Sequence, residues 1–160
     1  MSQAEYICCF TGHREILPEH ADRLASVVDN VLETLIKNGV TVFRAGGAIG
    51  FDTVVALKVI EKKRHYPHIK LHLLLPCKGQ ADRWNDFCKQ TYLYTLEQAD
   101  SVVYTSELYT KGCMLKRNRA LVDGSHYCVA YCTTQTGGTA YTLNYARKKE
   151  VRTINIANML

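Results

Sequence analysis

A chain of 160 residues, 47% hydrophobic and 22% charged, has the composition of an ordinary globular protein and contains no apolar run long enough to span a bilayer. Its net charge of +5 permits an anionic ligand without indicating nucleic acid, and its N-terminus lacks the basic and apolar regions of a signal peptide. We therefore expect one cytoplasmic domain over residues 1–160, with no membrane partner.

Strand-like and helix-like patterns alternate along the whole chain. In chain order they predict a strand over 6–10, a helix over 24–36, a strand over 40–44, a helix to about residue 65, a strand over 69–75, a helix over 81–99, a strand over 100–104, a short helix ending near residue 124, a strand over 127–131, a helix to residue 149 and a strand over 151–156. This alternation predicts the α/β class: a three-layer, Rossmann-like, doubly wound, mainly parallel sheet of about six strands with helices on both faces. Ligands of such sheets lie outside the carboxyl ends of the strands, where the strand order switches.

The first candidate ligand-binding residues follow the second predicted strand. Gly46, Gly47 and Gly50 precede a predicted helix, and glycine lets a phosphate approach the unpaired N–H groups of a helix N-terminus. An ordinary tight turn with a helix cap is the alternative, since the spacing is not the G-x-G-x-x-G of dinucleotide-binding proteins. Asp52 would repel a phosphate, so we expect it to bind a ribose hydroxyl or to complement the helix dipole.

A second glycine pair follows the fifth predicted strand. Here Thr136 and Thr139 flank Gly137 and Gly138, which places two hydroxyl donors beside two glycines at a predicted helix start. This combination favours anion binding over a simple turn with a threonine cap. Tyr141, in the first turn of that helix, would either stack on a base or pack on the sheet.

Two basic segments complete the candidate ligand-binding residues. Gly12, His13 and Arg14 leave the first predicted strand, where Arg14 offers a planar fork for a phosphate and His13 a hydrogen-bond donor or a proton carrier. Arg117 and Asn118 lie early in a short predicted helix, where cations oppose the helix dipole, so this basic cluster indicates an anionic partner. Surface charge without a function is the alternative for both segments.

No metal site or catalytic residue is predicted. The seven cysteines form no C-x-x-C pair, and we expect reduced, mostly structural thiols, with Cys77 and Cys113 in predicted loops. The histidines at 65, 68 and 72 lack metal-ligand spacing, and the chain contains neither a P-loop nor a Ser-His-Asp order.

Four motifs in this order resemble the YpsA-like branch of the SLOG superfamily, whose relatives include the Lonely Guy phosphoribohydrolases and the DNA-processing protein DprA. They are Cys9–Arg14, Ala45–Asp52, Arg117-Asn118 and Gly137–Tyr141, with Trp84-Asn85 also fitting, and they span nearly the entire chain. The resemblance implies a Rossmann-like fold and a nucleotide or nucleotide-derived ligand. It also implies a site lined by Gly12, Arg14, Gly46, Gly47, Asp52, Arg117, Asn118, Gly137, Gly138 and Thr139.

One motif departs from the Lonely Guy pattern P-G-G-x-G-T-x-x-E. When the glycine pair of that pattern is placed on Gly137-Gly138, Asn144 stands at the position of the catalytic glutamate, where it cannot act as an anionic base. A glycosidase of this type would need Asp52 or Glu107 instead.

We therefore expect a module that binds a nucleotide or an ADP-ribose-like derivative, acts as a sensor or regulator in a bacterial cell, and has no resident cofactor. The alternatives are a nucleotide N-glycosidase of Lonely Guy type and a single-stranded DNA-binding protein like DprA. We do not expect nucleic acid as a partner, because the sequence shows no exposed face with interleaved aromatic and basic residues. A protein partner and a homo-oligomer are left open.

Overall fold

The computed structural model describes residues 5–160, in which six strands alternate with five α-helices. The strands are β1 (Tyr6–Gly12), β2 (Val40–Ala45), β3 (Lys70–Leu75), β4 (Ser101–Tyr104), β5 (Tyr127–Tyr131) and β6 (Arg152–Asn155). The helices are α1 (Pro18–Lys37), α2 (Phe51–Lys63), α3 (Asp86–Gln98), α4 (Cys113–Val122) and α5 (Gly138–Lys148), and a 3₁₀ helix over Ile156–Met159 follows β6. Within residues 5–160, no helix combines the length and the apolar character needed to cross a membrane.

The six strands form one parallel sheet in the order β4-β3-β2-β1-β5-β6. Helices α1, α2 and α3 pack together on one face, and α4 and α5 pack on the other, which confirms the predicted three-layer α/β fold. From β1 the chain builds outward to β4, and it then returns to place β5 on the other side of β1. The strand order therefore switches between β1 and β5, and their carboxyl ends frame the crevice where such folds bind ligands.

The alternation of side chains along β1 explains why both faces of the sheet are covered. Cys8 and Phe10 belong to the large apolar cluster under α1 and α2. Cys9, between them, faces a smaller cluster with Leu121 of α4 and Ala146 of α5. Successive residues buried on opposite faces are what a central strand with helices on both sides requires.

Helix α3 begins later than the sequence pattern predicts. The prediction placed Trp84 inside a helix over 81–99, but the helix begins at Asp86. The Asn85 side chain caps it by accepting a hydrogen bond from the Cys88 N–H at 2.8 Å, and this cap ends the preceding run of turns. Trp84 therefore lies in the connection between β3 and α3.

The seven cysteines carry free thiols, and all but Cys88 are buried. Cys9 and Cys128 lie opposite each other in the pairing of β1 with β5. Cys113 is the first residue of α4, not a loop residue as predicted, while Cys77 is buried in the loop after β3. Their burial fits a structural role for these thiols.

Candidate anion-binding site

A cavity of about 310 Å³ opens where the carboxyl ends of β1 and β5 lie side by side. The loops after these strands, the start of α2, one face of α4 and the first turn of α5 form its walls. Of the sequence candidates, the cavity brings together Gly12, His13, Arg14, Asp52, Arg117, Asn118, Thr136, Gly137, Gly138 and Thr139. It also includes Phe10, Thr11, Ala48, Met114, Leu121 and Thr134.

The inner wall of the cavity carries a buried guanidinium. Arg117 is 5% exposed; its Nη1 donates to the Gly46 carbonyl oxygen and its Nε donates to Asn118 Oδ1 at 2.8 Å. Burial lowers the pKa of Arg117, and the nearby carboxyl of Asp52 opposes this shift. Among residues 5–160, the close ion pairs do not include Arg117. Asp52 is therefore a charged neighbour of Arg117 within the protein, and an anionic ligand would stabilise this buried cation further.

One carboxyl group lines the same cavity. Asp52, in the first turn of α2, is 5% exposed, and its Oδ2 accepts a hydrogen bond from the Ala48 N–H at 3.2 Å. Burial raises the pKa of Asp52, while the charge of Arg117 acts in the opposite direction. The electrostatics of the cavity therefore combine a fixed positive charge with a carboxyl whose ionised form is disfavoured by burial.

The second glycine turn, residues 136–139, faces this cavity with open space before it. Gly137 is the N-cap of α5 at a φ of 101°, and no side chain in the described part of the chain caps this helix. A Cβ on Gly137 would meet none of the described residues within 4 Å, and a Cβ on Gly138 would lie 3.9 Å from Asn118 Nδ2. Since Asn118 Oδ1 is bonded to Arg117, the Asn118 amide has its donor end near the helix start. Helix N–H groups and an amide donor are thus accessible to an anion.

The first glycine turn, residues 46–50, is filled by the protein itself. A Cβ on Gly46 would lie 2.6 Å from Arg117 Nη1, and a Cβ on Gly50, which has a φ of 87°, would lie 2.2 Å from the Arg14 carbonyl oxygen. Gly46, Gly47 and Gly50 do not line the cavity, in contrast to the second glycine turn. Gly46 allows the turn to pack against Arg117, and Gly50 allows it to pack against the loop after β1. Phosphate contact by these three glycines stays a prediction.

His13 connects the loops that carry the two glycine turns. Its carbonyl oxygen accepts from the Phe51 N–H at 3.1 Å, and its Nε2 accepts from the Thr133 N–H at 2.9 Å. The ring packs edge-on against Tyr131, with a centroid distance of 5.7 Å. Because Nε2 is an acceptor, the neutral ring carries its proton on Nδ1, and burial lowers the pKa of His13 in agreement with this state. His13 therefore positions the two loops.

Three other candidates lie outside the cavity. Tyr141 is 40% exposed and is not part of the cavity wall. Asn144 lines a different, smaller depression of about 260 Å³ beside β6. Glu107 pairs with Lys78 at 3.6 Å on the exposed loop after β4. Of the two acids that could replace the missing Lonely Guy glutamate, Asp52 is the one that lines the cavity.

A model of the YspA SLOG family matches residues 9–159. The chain belongs to this family. One relative is the uncharacterized SPbeta prophage-derived protein YoqJ of Bacillus subtilis (strain 168), 31% identical over 139 residues that cover 79% of this chain and 80% of the relative. A UPF0398 protein of Bacillus pumilus is 30% identical over 118 residues, or 72% of this chain and 63% of that protein. These matches confirm the family resemblance of the motifs.

Two solved structures of DNA processing protein A share the fold of this family member. The protein from Helicobacter pylori, whose structure is described as revealing a single-stranded DNA binding mode, superposes with a TM-score of 0.63 and 18% identity over 92% of this chain. The Streptococcus pneumoniae protein gives a TM-score of 0.66 and 15% identity over 93% of this chain. This chain spans 63% and 49% of those two proteins, respectively. At these identities the likeness establishes the Rossmann-like fold.

Several cavity residues were missed by the sequence argument, and a sequence signal could have found two of them. Met114, Arg117, Asn118 and Leu121 recur at the spacing i, i+3, i+4, i+7, which places them on one face of α4. Extending the candidate set along that face would have added Met114 and Leu121. Thr134 has no comparable signal, because it lies in an irregular loop.

Proposed function

We propose that the cavity of this family member binds a phosphate-bearing nucleotide or an ADP-ribose-like derivative, and that the protein acts as a ligand-binding module in sensing or regulation. The observation that carries the proposal is the buried Arg117 guanidinium beside the uncapped first turn of α5. A guanidinium and the N–H groups of a helix N-terminus are two standard phosphate donors in proteins. The cavity volume of about 310 Å³ lies within the range of small-molecule sites.

The cavity residues suggest a division of roles along the ligand. The first turn of α5, with the amide of Asn118, would donate hydrogen bonds to phosphate oxygens, and Arg117 would balance their charge. Arg14, exposed at the rim, would add a second cation. A phosphate would avoid Asp52, so this carboxylate is suited to accept a hydrogen bond from a ribose hydroxyl.

Isothermal calorimetry with AMP, ADP-ribose and other nucleotides tests the proposal. The informative variant is Gly138→Ala, because alanine at this position is unstrained and meets no atom closer than 3.9 Å, yet its methyl group lies where a phosphate would approach the helix. We expect an unchanged or slightly raised unfolding midpoint, since alanine favours helices over glycine, together with an affinity about tenfold weaker.

Arg117→Met tests the charge in the same experiment. We expect about a tenfold or greater loss of nucleotide affinity, because a charge-assisted hydrogen bond in a buried site is lost. Arg147→Met is the matched control, since it removes the same charge from an exposed position at the end of α5. No heat with any nucleotide at millimolar concentration, or equal losses in both arginine variants, would contradict the proposal.

The position of Asp52 keeps hydrolysis of a nucleotide N-glycosidic bond as a second candidate function. Its carboxyl is buried in the cavity with a raised pKa, a property shared by many catalytic acids and bases. Release of free base from nucleoside monophosphates, followed by chromatography, tests this candidate. If the protein releases base and the Asp52→Asn variant does not, the candidate is supported. If the protein binds the nucleotide but releases base no faster than buffer alone, the candidate is excluded.

A face of α4 and α5 supports single-stranded DNA binding as a third candidate. Tyr141 and Tyr145 stack with a centroid distance of 6.4 Å and an interplanar angle of 15°. Arg119 donates to the Tyr141 hydroxyl at 3.3 Å, and Lys149 Nζ lies 5.5 Å from the Tyr145 ring centroid. Aromatic rings interleaved with cations are the surface that single strands use, and the sequence alone did not reveal it.

A fluorescence anisotropy titration with labelled oligothymidine at low salt tests the DNA candidate. If this face binds DNA, affinity falls with rising salt, and Tyr141→Ala weakens it about fivefold or more. Leu93→Ala is the control, because Leu93 is an exposed residue on α3, on the opposite face of the sheet. No binding at low salt excludes this candidate and leaves the nucleotide proposal unaffected.

A further inference from the structure

A second cavity, of about 600 Å³, adjoins the candidate anion-binding site. Arg14 and Met114 line both cavities, so the two share a wall. The rest of the second cavity is formed by the connection between β3 and α3 and by the loop before α4. These residues are Gly79, Gln80, Asp82, Arg83, Trp84 and Tyr109. The proposed phosphate site uses none of them.

Two aromatic side chains line this second cavity. Tyr109 is 72% exposed. Trp84 is half-buried, and its ring packs edge-on against Tyr92 with a centroid distance of 5.2 Å and an interplanar angle of 79°. The indole is therefore held in place by the core while it still borders the cavity. Fixed or exposed aromatic rings that line a cavity are surfaces on which nucleobases stack.

Hydrogen-bond acceptors accompany the aromatic rings. The Nε2 of Gln80 donates to the Tyr92 hydroxyl at 3.2 Å and to the Gly47 carbonyl oxygen at 3.4 Å. Its Oε1 is buried and accepts no hydrogen bond from the described residues. A buried acceptor without a donor is destabilising, and a ligand N–H would reach this oxygen only after the Gln80 side chain turned toward the cavity. Asp82 contributes an exposed carboxylate to the same cavity.

The geometry points to a nucleobase subsite in the second cavity: the ligand is a purine nucleotide whose base stacks on Trp84 and Tyr109. This assignment rests on the proposed phosphate site. When the phosphate lies at the start of α5, the ribose lies along the wall that the two cavities share, at Arg14 and Met114. The base then enters the larger cavity. The volume of about 600 Å³ accommodates a fused two-ring base, and the exposed carboxylate of Asp82 can accept hydrogen bonds from purine N–H donors.

Trp84 makes the test direct, because it is the single tryptophan of the chain. AMP, GMP, UMP and ribose 5-phosphate are titrated into the protein while tryptophan fluorescence and calorimetric heat are recorded. We expect the purine nucleotides to change Trp84 fluorescence and to bind about tenfold more tightly than ribose 5-phosphate. Ribose 5-phosphate is expected to compete with AMP for the phosphate site without changing the fluorescence.

The Tyr109→Ala variant separates the base from the phosphate. It should weaken AMP binding about 5- to 100-fold and leave ribose 5-phosphate binding unchanged, because the phenol contacts the base alone. Leu108→Ala is the matched control, since Leu108 is 75% exposed, is adjacent in sequence and does not line the cavity. Because Tyr109 is exposed, we expect the Tyr109→Ala variant to remain folded.

The outcomes distinguish the two proposals. If AMP binds in an Arg117-dependent manner but Tyr109→Ala and Trp84→Leu leave the preference over ribose 5-phosphate intact, the base subsite is wrong and the phosphate site stands. The base subsite is also wrong if UMP and the purine nucleotides bind equally. If neither ribose 5-phosphate nor any nucleotide binds, the proposed function fails and the base subsite fails with it.

Discussion

The two glycine turns look alike in sequence and differ in the structure. Both follow a parallel strand and precede a helix, at α2 and at α5. The first is closed, since a methyl group on Gly50 would lie 2.2 Å from a backbone oxygen, whereas a methyl group on Gly137 would meet no atom of residues 5–160 within 4 Å. Glycine thus allows close packing in the first turn, whereas the space in front of the second turn is open.

The difference arises from residues distant in the chain. Arg117 donates to the carbonyl oxygen of Gly46, 71 residues away, and so occupies the space in front of the first turn. The same helix presents Asn118 to the second turn with 3.9 Å of clearance from a Cβ on Gly138. One helix therefore closes one glycine turn and lines the open space of the other, and the following predictions test this contrast.

The largest expected effect is on stability, from Gly50→Ala compared with Gly137→Ala. Both positions have a positive φ, which costs a substituted residue about 1–3 kcal/mol, but Gly50 adds a backbone clash. We expect Gly50→Ala to lower the free energy of unfolding by about 4 kcal/mol and Gly137→Ala by about 2 kcal/mol. Urea unfolding followed by Trp84 fluorescence measures both. Equal losses would show that the two turns are packed alike.

Asp52→Asn tests what the first turn contributes to the cavity. Because burial raises the pKa of Asp52, its ionised form is less favourable in the folded than in the unfolded protein, so the neutral amide is expected to raise the urea midpoint at neutral pH. Removing a negative charge from the cavity is also expected to tighten binding of inorganic pyrophosphate about tenfold. Glu107→Gln, which removes an exposed charge outside the cavity, is the control, and an identical response of the two variants would contradict the prediction.

Thr139→Val tests the open turn with a near-isosteric change. Thr139 lines the cavity and is 9% exposed, so the variant removes a hydroxyl donor without a large change in packing. We expect about a fivefold loss in AMP affinity, equivalent to about 1 kcal/mol for one hydrogen bond. Thr53→Val, at the closed turn, is the control, because its hydroxyl bonds the Ala48 carbonyl oxygen at 2.9 Å within the protein. If Thr53→Val alone weakened AMP binding, the first glycine turn and not the second would be the one that contacts the ligand.

The smallest expected effect is a pH dependence from His13, which joins the loops of both turns. Burial lowers its pKa below the ordinary value of 6.5, so the unfolded chain binds the proton more readily than the folded protein. The contribution of neutral His13 to the free energy of unfolding is complete above about pH 6.5. It is lost as the pH falls from about 6.5 toward the lower pKa of His13 in the folded protein. Urea midpoints at about pH 7.5 and about pH 5.5 measure this, and His13→Gln should reduce the change. Part of the slope will remain, because burial also lowers the pKa of His72.

The fold could be predicted because the strands are short runs of apolar residues separated by helical spacing. In β1, Cys8, Cys9 and Phe10 are all buried, which is typical of a central parallel strand with helices on both faces. The start of α3 was mispredicted because the apolar residues around Trp84 suggest a helix, while a single side chain, Asn85, provides the cap that delays it. Local capping chemistry decided this boundary.

The site could be predicted less completely. The sequence indicated Arg117 as a cation early in a short predicted helix, and the structure places it at the cavity wall. Because α4 begins at Cys113, however, Arg117 lies beyond the first turn, and the helix dipole is not the reason for its position. The closed state of the first turn could not be predicted, since it depends on a contact between α4 and the loop after β2. The stacking of Tyr141 on Tyr145 likewise needs the helical geometry, because residues four apart meet only on a helix.

The neighbouring thiols of Cys9 and Cys128 can report how often the sheet opens between β1 and β5. They lie on the two strands between which the order of the sheet reverses, and both are shielded from solvent. An alkylating reagent can reach them only when the sheet opens locally between β1 and β5. The rate at which these two thiols are modified therefore reports the frequency of that opening. A molecule held by the loops of both strands would slow that rate, with the less shielded Cys88 as an internal reference.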